Sequence, residues 1–283
     1  MSVLYCSLLQ ALQVQTAFIT TSGHVFTAFA LAASPEEARK AFSHTEELLF
    51  REGKVWVPLE LTEEGSFLAA WQAGAERWRT ARKVHFYPVG ALQGSVRPQG
   101  FTESGSEVPL PEEAQVLKGF QQEVERLMAR EFQDQEAQLL ATVTQSNGGP
   151  KALNALGLLY VRYDLREKAE AQFQAALKAS EYAPALVNLG NLWLLAKQPM
   201  EALGFFQRAE AVAPNDSAVL LGLARSRHAL QYYHLARLTH DDLLRRYPEL
   251  AARFSYLRLQ GEESERAAEA DGVKELMVWG EEK

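Results

Sequence analysis

Side chains with nucleophilic or metal-binding chemistry are few in this sequence. There is one cysteine, Cys6, and there are six histidines. A single thiol excludes an internal disulfide and any multi-cysteine zinc site. Thiol nucleophiles react as thiolates, which helix N-termini and neighbouring cations favour. Cys6 lies instead in SVLYCSLLQAL beside Leu8 and Leu9, where a mid-helix thiol is read as a small buried hydrophobe. His44 and His85 match no motif, and His228, His234 and His240 lack the cysteine or acidic partners of a zinc site. These histidines are read as structural or surface residues, and no metal or cofactor is expected.

The elements that would position any site follow from periodicity. Leu4, Leu8, Leu9 and Leu12 recur at helical spacing. VQTAFITT (Val14–Thr21) and HVFTAFAL (His24–Leu31) then predict two strands joined by Ser22-Gly23. Ser34 and Pro35 predict a helix cap and first helical residue, and ELLF and KVWVPLEL predict strands around Glu52-Gly53. A helix from Ser66 carries Phe67, Trp71, Ala75 and Trp78 on one stripe, read as packing, and KVHFYPV comes next as an extended segment. Between Gly90 and Pro111 the composition turns to Gly, Ser and Pro, the chemistry of a linker. Residues 112–149 are expected to be helical, with Phe120, Val124, Leu127, Met128 and Phe132 as an apolar stripe that packs beneath the helices beginning near residue 150.

The stretch 150–250 repeats itself. Copies starting at Leu153, Leu186 and Leu220 are spaced by 33 and 34 residues. Each opens with a leucine pair (Leu153 and Leu156, Leu186 and Leu189, Leu220 and Leu223), succeeded by a small residue (Gly157, Gly190, Ala224) and then by Tyr160, Trp193 or Arg227. After a polar turn come Ala169, Ala202 and Ala236, then Phe173, Phe206 and His240, then Ala176, Ala209 and Leu243. Pro214 and Pro248 close the last two copies, since proline cannot continue a helix. Each copy is a helix–turn–helix unit that buries its apolar face only by stacking on a neighbour.

These offsets resemble the tetratricopeptide repeat. The resemblance implies a helical solenoid whose first helices line a concave groove for a protein or peptide partner. In this sequence that face carries Lys151, Asn154, Leu158 and Arg162, then Val187, Asn188, Asn191 and Leu194, then Leu221, Arg225 and His228. The peptide-binding residues are expected to be Lys151, Asn154, Arg162, Asn188, Asn191, Arg225 and His228. Residues 150–250 carry a net charge of +2 in a chain of −7. Cationic and amide donors in the groove therefore suggest an acidic peptide or a C-terminal carboxylate.

LYCSLLQALQVQTAFITTSGHVFTAFAL, together with the later VWVPLELT, resembles the bacterial transglutaminase-like, papain-type domain. There a cysteine nucleophile, a histidine base and an acidic residue that orients the histidine act together. His24 matches the family histidine, and Glu60 stands where the family usually has aspartate. The family cysteine lies several residues before the LYASLL-type stretch, upstream of Met1, and Cys6 occupies an alanine position. The resemblance therefore implies a domain truncated at its amino end, with His24 and Glu60 as relics and no turnover.

The expected architecture is a truncated α+β transglutaminase-like domain over 1–92, a linker over 93–111, a helical cap over 112–149, an all-α solenoid of three tetratricopeptide repeats over 150–250, and a helical cap and tail over 251–283. Within the tail, LMVW is read as a short strand or a docked segment. The net charge of −7 argues against a general nucleic-acid binder. No apolar run is long enough to span a bilayer, and no secretory signal opens the sequence, so a soluble, cytoplasmic protein is expected. The expected function is a protein-interaction scaffold. The competing expectation is a cysteine peptidase or transglutaminase-like enzyme whose nucleophile lies upstream and whose repeats recruit substrate.

Overall fold

The computed structural model describes residues 2–62, 65–92, 112–178, 180–273 and 276–281. The expected linker over 93–111 lies outside the described residues. By internal contacts the chain divides into two units, Met1–Asp134 and Gln135–Lys283.

The first unit begins with helix α1 (Ser2–Ala11), which leads into a five-stranded antiparallel sheet. Its strands are β1 (Thr16–Thr21), β2 (His24–Ala30), β3 (Leu49–Arg51), β4 (Lys54–Leu59) and β5 (His85–Pro88), in the order β3-β4-β2-β1-β5. Two tight turns set the register. Thr21 pairs with His24 across Ser22-Gly23, and Arg51 with Lys54 across Glu52-Gly53. Glu52 and Gly53 both take positive φ, 52° and 73°, the conformation a two-residue hairpin turn demands. The expected cap of helix α2 (Pro35–Ala41) is present: the Ser34 hydroxyl accepts from Glu37 N, and the Glu37 carboxylate accepts from Ser34 N.

Strand β4 is buried on both faces. Trp56 joins Ala17, Ile19, Phe26, Ala28 and Leu49 in one cluster, whereas Val55, Val57 and Leu59 pack with Trp71 and Ala75 of helix α3 (Phe67–Thr80). A methyl group at Gly74 would stand 2.7 Å from the Pro58 carbonyl, so glycine is what lets α3 lie directly on β4. Helix α4 (Val89–Leu92) comes directly after β5.

Helix α5 (Glu113–Gln145) is longer than a globular helix usually runs, and the division between units falls within it. Up to Asp134 its polar side chains hold it to the first unit. Arg130 grips Glu47 with two bonds of 2.9 and 2.8 Å, Glu131 accepts from Ser43 N at 2.7 Å, and Asp134 meets His44 Nε2 at 2.7 Å. Of the apolar stripe, Leu127 packs on the Trp71 cluster, but Phe120, Val124 and Met128 are exposed. The expected burial of this stripe fails because ion pairs and hydrogen bonds orient the helix here.

The second unit is built from helix pairs at the predicted spacing: α6 (Pro150–Arg162) with α7 (Arg166–Ala176), α8 (Ala183–Leu195) with α9 (Pro199–Val212), and α10 (Ser217–Ala229) with α11 (Tyr233–Arg246). The residues expected in the seams are buried: Ala169, Ala202 and Ala236, then Phe173, Phe206 and His240, then Ala176, Ala209 and Leu243. A methyl group at Gly157 would collide with the Phe173 ring, and one at Gly190 would stand 2.7 Å from Phe206. Gly222, of the next copy, approaches Phe206 more closely still. A single ring thus locks two copies together.

Between the helices of each pair one residue takes positive φ: Asp164 at 54°, Lys197 at 59° and Gln231 at 64°. The next amide then reaches back to the carbonyl of Tyr160, Trp193 or Arg227 at 2.8, 2.9 and 2.8 Å, satisfying carbonyls that a helix end leaves open. The chain continues through helix α12 (Pro248–Arg253), a short 3-10 turn (Ser255–Arg258) and helix α13 (Gly261–Ala270). They bury Ala251, Phe254, Leu257 and Ala268 against α10 and α11, and buried His240 contacts the Ala251 carbonyl through Nε2 at 3.0 Å. The 276–281 segment then crosses the face of the first helices, as the docked alternative for LMVW anticipated.

Candidate functional site

The face predicted as a groove is occupied by the chain's own 276–281 segment, and the predicted amides are what hold it. Asn188 of α8 reads both polar groups of one residue: Nδ2 donates to Gly280 O at 3.0 Å, and Oδ1 accepts from Gly280 N at 2.6 Å. Asn154 of α6 donates to the same carbonyl at 3.0 Å while its Oδ1 accepts from Asn188 at 2.9 Å. One turn further along α8, Asn191 donates to Val278 O at 2.9 Å. Arg225 of α10 donates to Leu276 O through Nη1, which also lies 3.2 Å from Met277 Sδ. Three consecutive first helices therefore hold carbonyls at alternate residues of an extended segment. Asn154, Asn188, Asn191 and Arg225 are all buried, whereas a solvent-open groove was expected; the segment covers them and satisfies them.

Apolar contacts fix the register of the same segment. Leu276 and Val278 pack on the cluster of Leu220, Leu221 and Phe254, and Val278 also on that of Val187, Phe206 and Val219. Residues two apart in an extended chain share a face, so both point inward. At Gly280 an added methyl would stand 2.6 Å from the Pro184 carbonyl, and only glycine fits.

The remaining predicted residues mark the ends of the groove. Lys151 and Arg162 are exposed and line, with Asn154 and Glu281, a cavity of about 510 Å³; Arg162 donates to Gln135 at 3.2 Å. Beyond Met277 a second cavity, of about 360 Å³, is lined by Leu194, Arg225, His228 and Tyr256. His228 turns away from the segment: Nε2 lies 2.8 Å from Ser264 Oγ and 3.2 Å from Leu259 O, and burial depresses its pKa against the Leu259 contact. Nearby, Tyr160 donates to Glu136 at 2.8 Å, and burial together with that carboxylate pushes its pKa up to about 12. The sequence offered LMVW as a docked segment but did not single out Leu276, Val278 and Gly280 as the residues that seat it. Their signal was the apolar LMVW run ending in glycine.

In the first unit, His24 and Glu60 do meet. Glu60 is fully buried and contacts His24 Nε2 through Oε2, which also takes Arg77 Nε at 2.8 Å; Oε1 accepts from Thr62 N at 3.0 Å and Thr62 Oγ1 at 2.6 Å. Burial alone would raise its pKa, but the Thr62 and His24 hydrogen bonds hold it below the ordinary carboxylate value. Cys6 is buried, and burial pushes its thiol pKa up, opposite to the activation a nucleophile needs. Among the described residues no group of three or more His, Cys, Asp or Glu side chains is placed to hold a metal, and no helix is long and apolar enough to cross a membrane.

No family model matches the chain. Two curated proteins are similar to part of it. Tetratricopeptide repeat protein 8 of Mus musculus is 31% identical over 85 residues, 28% of this chain and 16% of its own length. The Homo sapiens protein of the same name is 31% identical over 70 residues, 25% of this chain and 13% of its own length. The matches thus span less than a fifth of either relative. A crystal structure of MamA superposes on 54% of this chain and 93% of its own, with a TM-score of 0.38 and 16% identity. Residue pattern, helix pairing and the two curated similarities support a tetratricopeptide-type helical array in the second unit.

Proposed function

We propose that this chain is a protein-interaction scaffold whose first helices bind an extended protein or peptide partner. The observation that carries the reading is the convergence of Asn154, Asn188, Asn191 and Arg225, from three successive helix pairs, on one extended backbone. Such donors recognise main chain independently of side chains. A preference for acidic residues is supported at one end only, where Lys151 and Arg162 share a cavity with Glu281. Residues 1–92 act in this reading as a transglutaminase-like domain without turnover, in a cytoplasmic protein.

A photo-reactive side chain at Lys151, compared with one at exposed Gln207 of α9, tests the proposal. Capture of a protein partner from Lys151, diminished by Asn188→Ala and by Arg225→Ala, is the expected result. Capture from Gln207 alone, insensitive to both substitutions, overturns it.

The His24–Glu60 contact favours a second reading, in which the first unit serves a thiol-dependent peptidase or amide-transfer enzyme with a nucleophile outside this sequence. Within the sequence only Cys6 could fill that role. Alkylation of Cys6 that proceeds in the folded protein, with a thiol pKa below about 8, would argue for Cys6 itself and against a nucleophile outside this sequence. Labelling only after unfolding is what burial predicts.

A further inference from the structure

We infer that the 276–281 segment is an intramolecular ligand that keeps the groove self-occupied, and that the partner displacing it is an extended segment with apolar residues at alternate positions and a glycine two further on. The inference rests on the proposed peptide site of the first helices and adds to it a competitor and a partner motif.

Three observations carry it. The segment belongs to no helix or strand; side chains of α6, α8 and α10 hold its backbone, so these bonds can be remade with any extended peptide in the same register. Apolar selection falls on alternate positions, Leu276 and Val278, each set into a cluster of the array. Gly280 packs where a β-carbon would meet the backbone of Pro184, which makes glycine a requirement of the motif. Met277 and Trp279 are half-buried like their neighbours, and Met277 Sδ lies 3.2 Å from Arg225 Nη1, but Leu276 and Val278 are the two that pack on these clusters.

Tethering gives the internal segment a local concentration on the order of millimolar for a short linker. A free partner must exceed that competition or bind better.

The test uses a fluorescein-labelled peptide of sequence LMVWGE, read by anisotropy against three full-length chains: the wild type, Gly280→Val, and Gly280→Val with Asn188→Ala. The valine expels the internal segment by collision with Pro184 and touches no groove donor. Binding to Gly280→Val at least roughly tenfold tighter than to the wild type is expected, with loss of binding in the double variant and for a peptide whose glycine is replaced by valine. A second release variant, Leu276→Asp with Val278→Asp, acts through other contacts and should open the groove equally.

Equal binding to wild type and released chains overturns the inference, as does collapse of helical circular dichroism in both release variants, which would make the segment part of the fold. A dimeric wild type by light scattering, with the segment exchanged between copies, overturns its intramolecular form. If Lys151 captures a partner that LMVWGE does not displace from the released chains, this inference fails and the scaffold reading stands. If Lys151 captures nothing even from the released chains, the scaffold reading fails by itself.

Discussion

Glu60 in the first unit and Asn188 in the second are both fully buried polar side chains with their hydrogen-bonding capacity used. They differ in what satisfies them. Glu60 is held by Thr62, His24 and Arg77, which sit on or beside the sheet and its covering helix and cannot leave without dismantling the unit. Asn188 is held by Asn154 and by Gly280, and Gly280 lies on an extended segment outside every regular element. A buried polar group therefore marks framework or binding site according to whether its partner can be exchanged.

Substitutions should separate the two kinds. The largest loss is expected where the second unit itself is framework: Phe206, closed in by Gly190 and Gly222, should cost about 3–5 kcal/mol on Phe206→Ala, read as urea unfolding of the helical unit. A smaller loss there would mean that the array relaxes around the cavity.

Glu60→Ala should come next, at about 2–3 kcal/mol, with loss of amide protection across β1, β2 and β4. Because the Glu60 pKa is lowered by folding, its contribution is complete above the ordinary carboxylate range and fades as pH falls through the folded value. Glu60→Gln should flatten the acid limb of first-unit stability, and an unchanged limb would show that Thr62 and His24 do not hold the charge.

Asn188→Ala should cost only about 1 kcal/mol, because water reaches the groups that the segment vacates. Hydrogen exchange should then rise at 276–281 while α8 and α9 stay protected. If protection falls along α8 and α9 as well, Asn188 is framework and the contrast with Glu60 dissolves.

The last change, Tyr160→Phe, should cost no more than that, about 0.5–1 kcal/mol. Raised to about 12, the phenol contributes fully below its unfolded value near about 10. That contribution is lost as pH rises from there through the folded value, a decline that Tyr160→Phe should remove.

The repeat was legible because its packing uses fixed offsets. Alanine at 169, 202 and 236 and the bulky residues at 173, 206 and 240 each face the same seam, so periodicity alone located them. Less was legible at the turns: Asp164, Lys197 and Gln231 take the left-handed conformation without glycine, leaving no compositional mark. The contact of Gly222 with Phe206 also escaped alignment, which compares positions within copies, whereas this contact runs between them. At the groove, residue types and helices were readable, and docking was one of two readings of LMVW, but its place was not readable, since six residues of extended chain acquire a position only from the surface they lie on. The stripe on α5 misled for the opposite reason: Arg130, Glu131 and Asp134 make long-range polar contacts that periodicity does not register.

The close approach of Gly280 to Pro184 also has a genetic consequence. Every single-base change in a glycine codon that alters the amino acid adds at least one carbon, and here that carbon has no room. Under the proposed self-occupancy, any missense change at this codon would unseat the segment, and only a return to glycine would restore it. Lineages carrying this array would lose self-occupancy readily and regain it rarely.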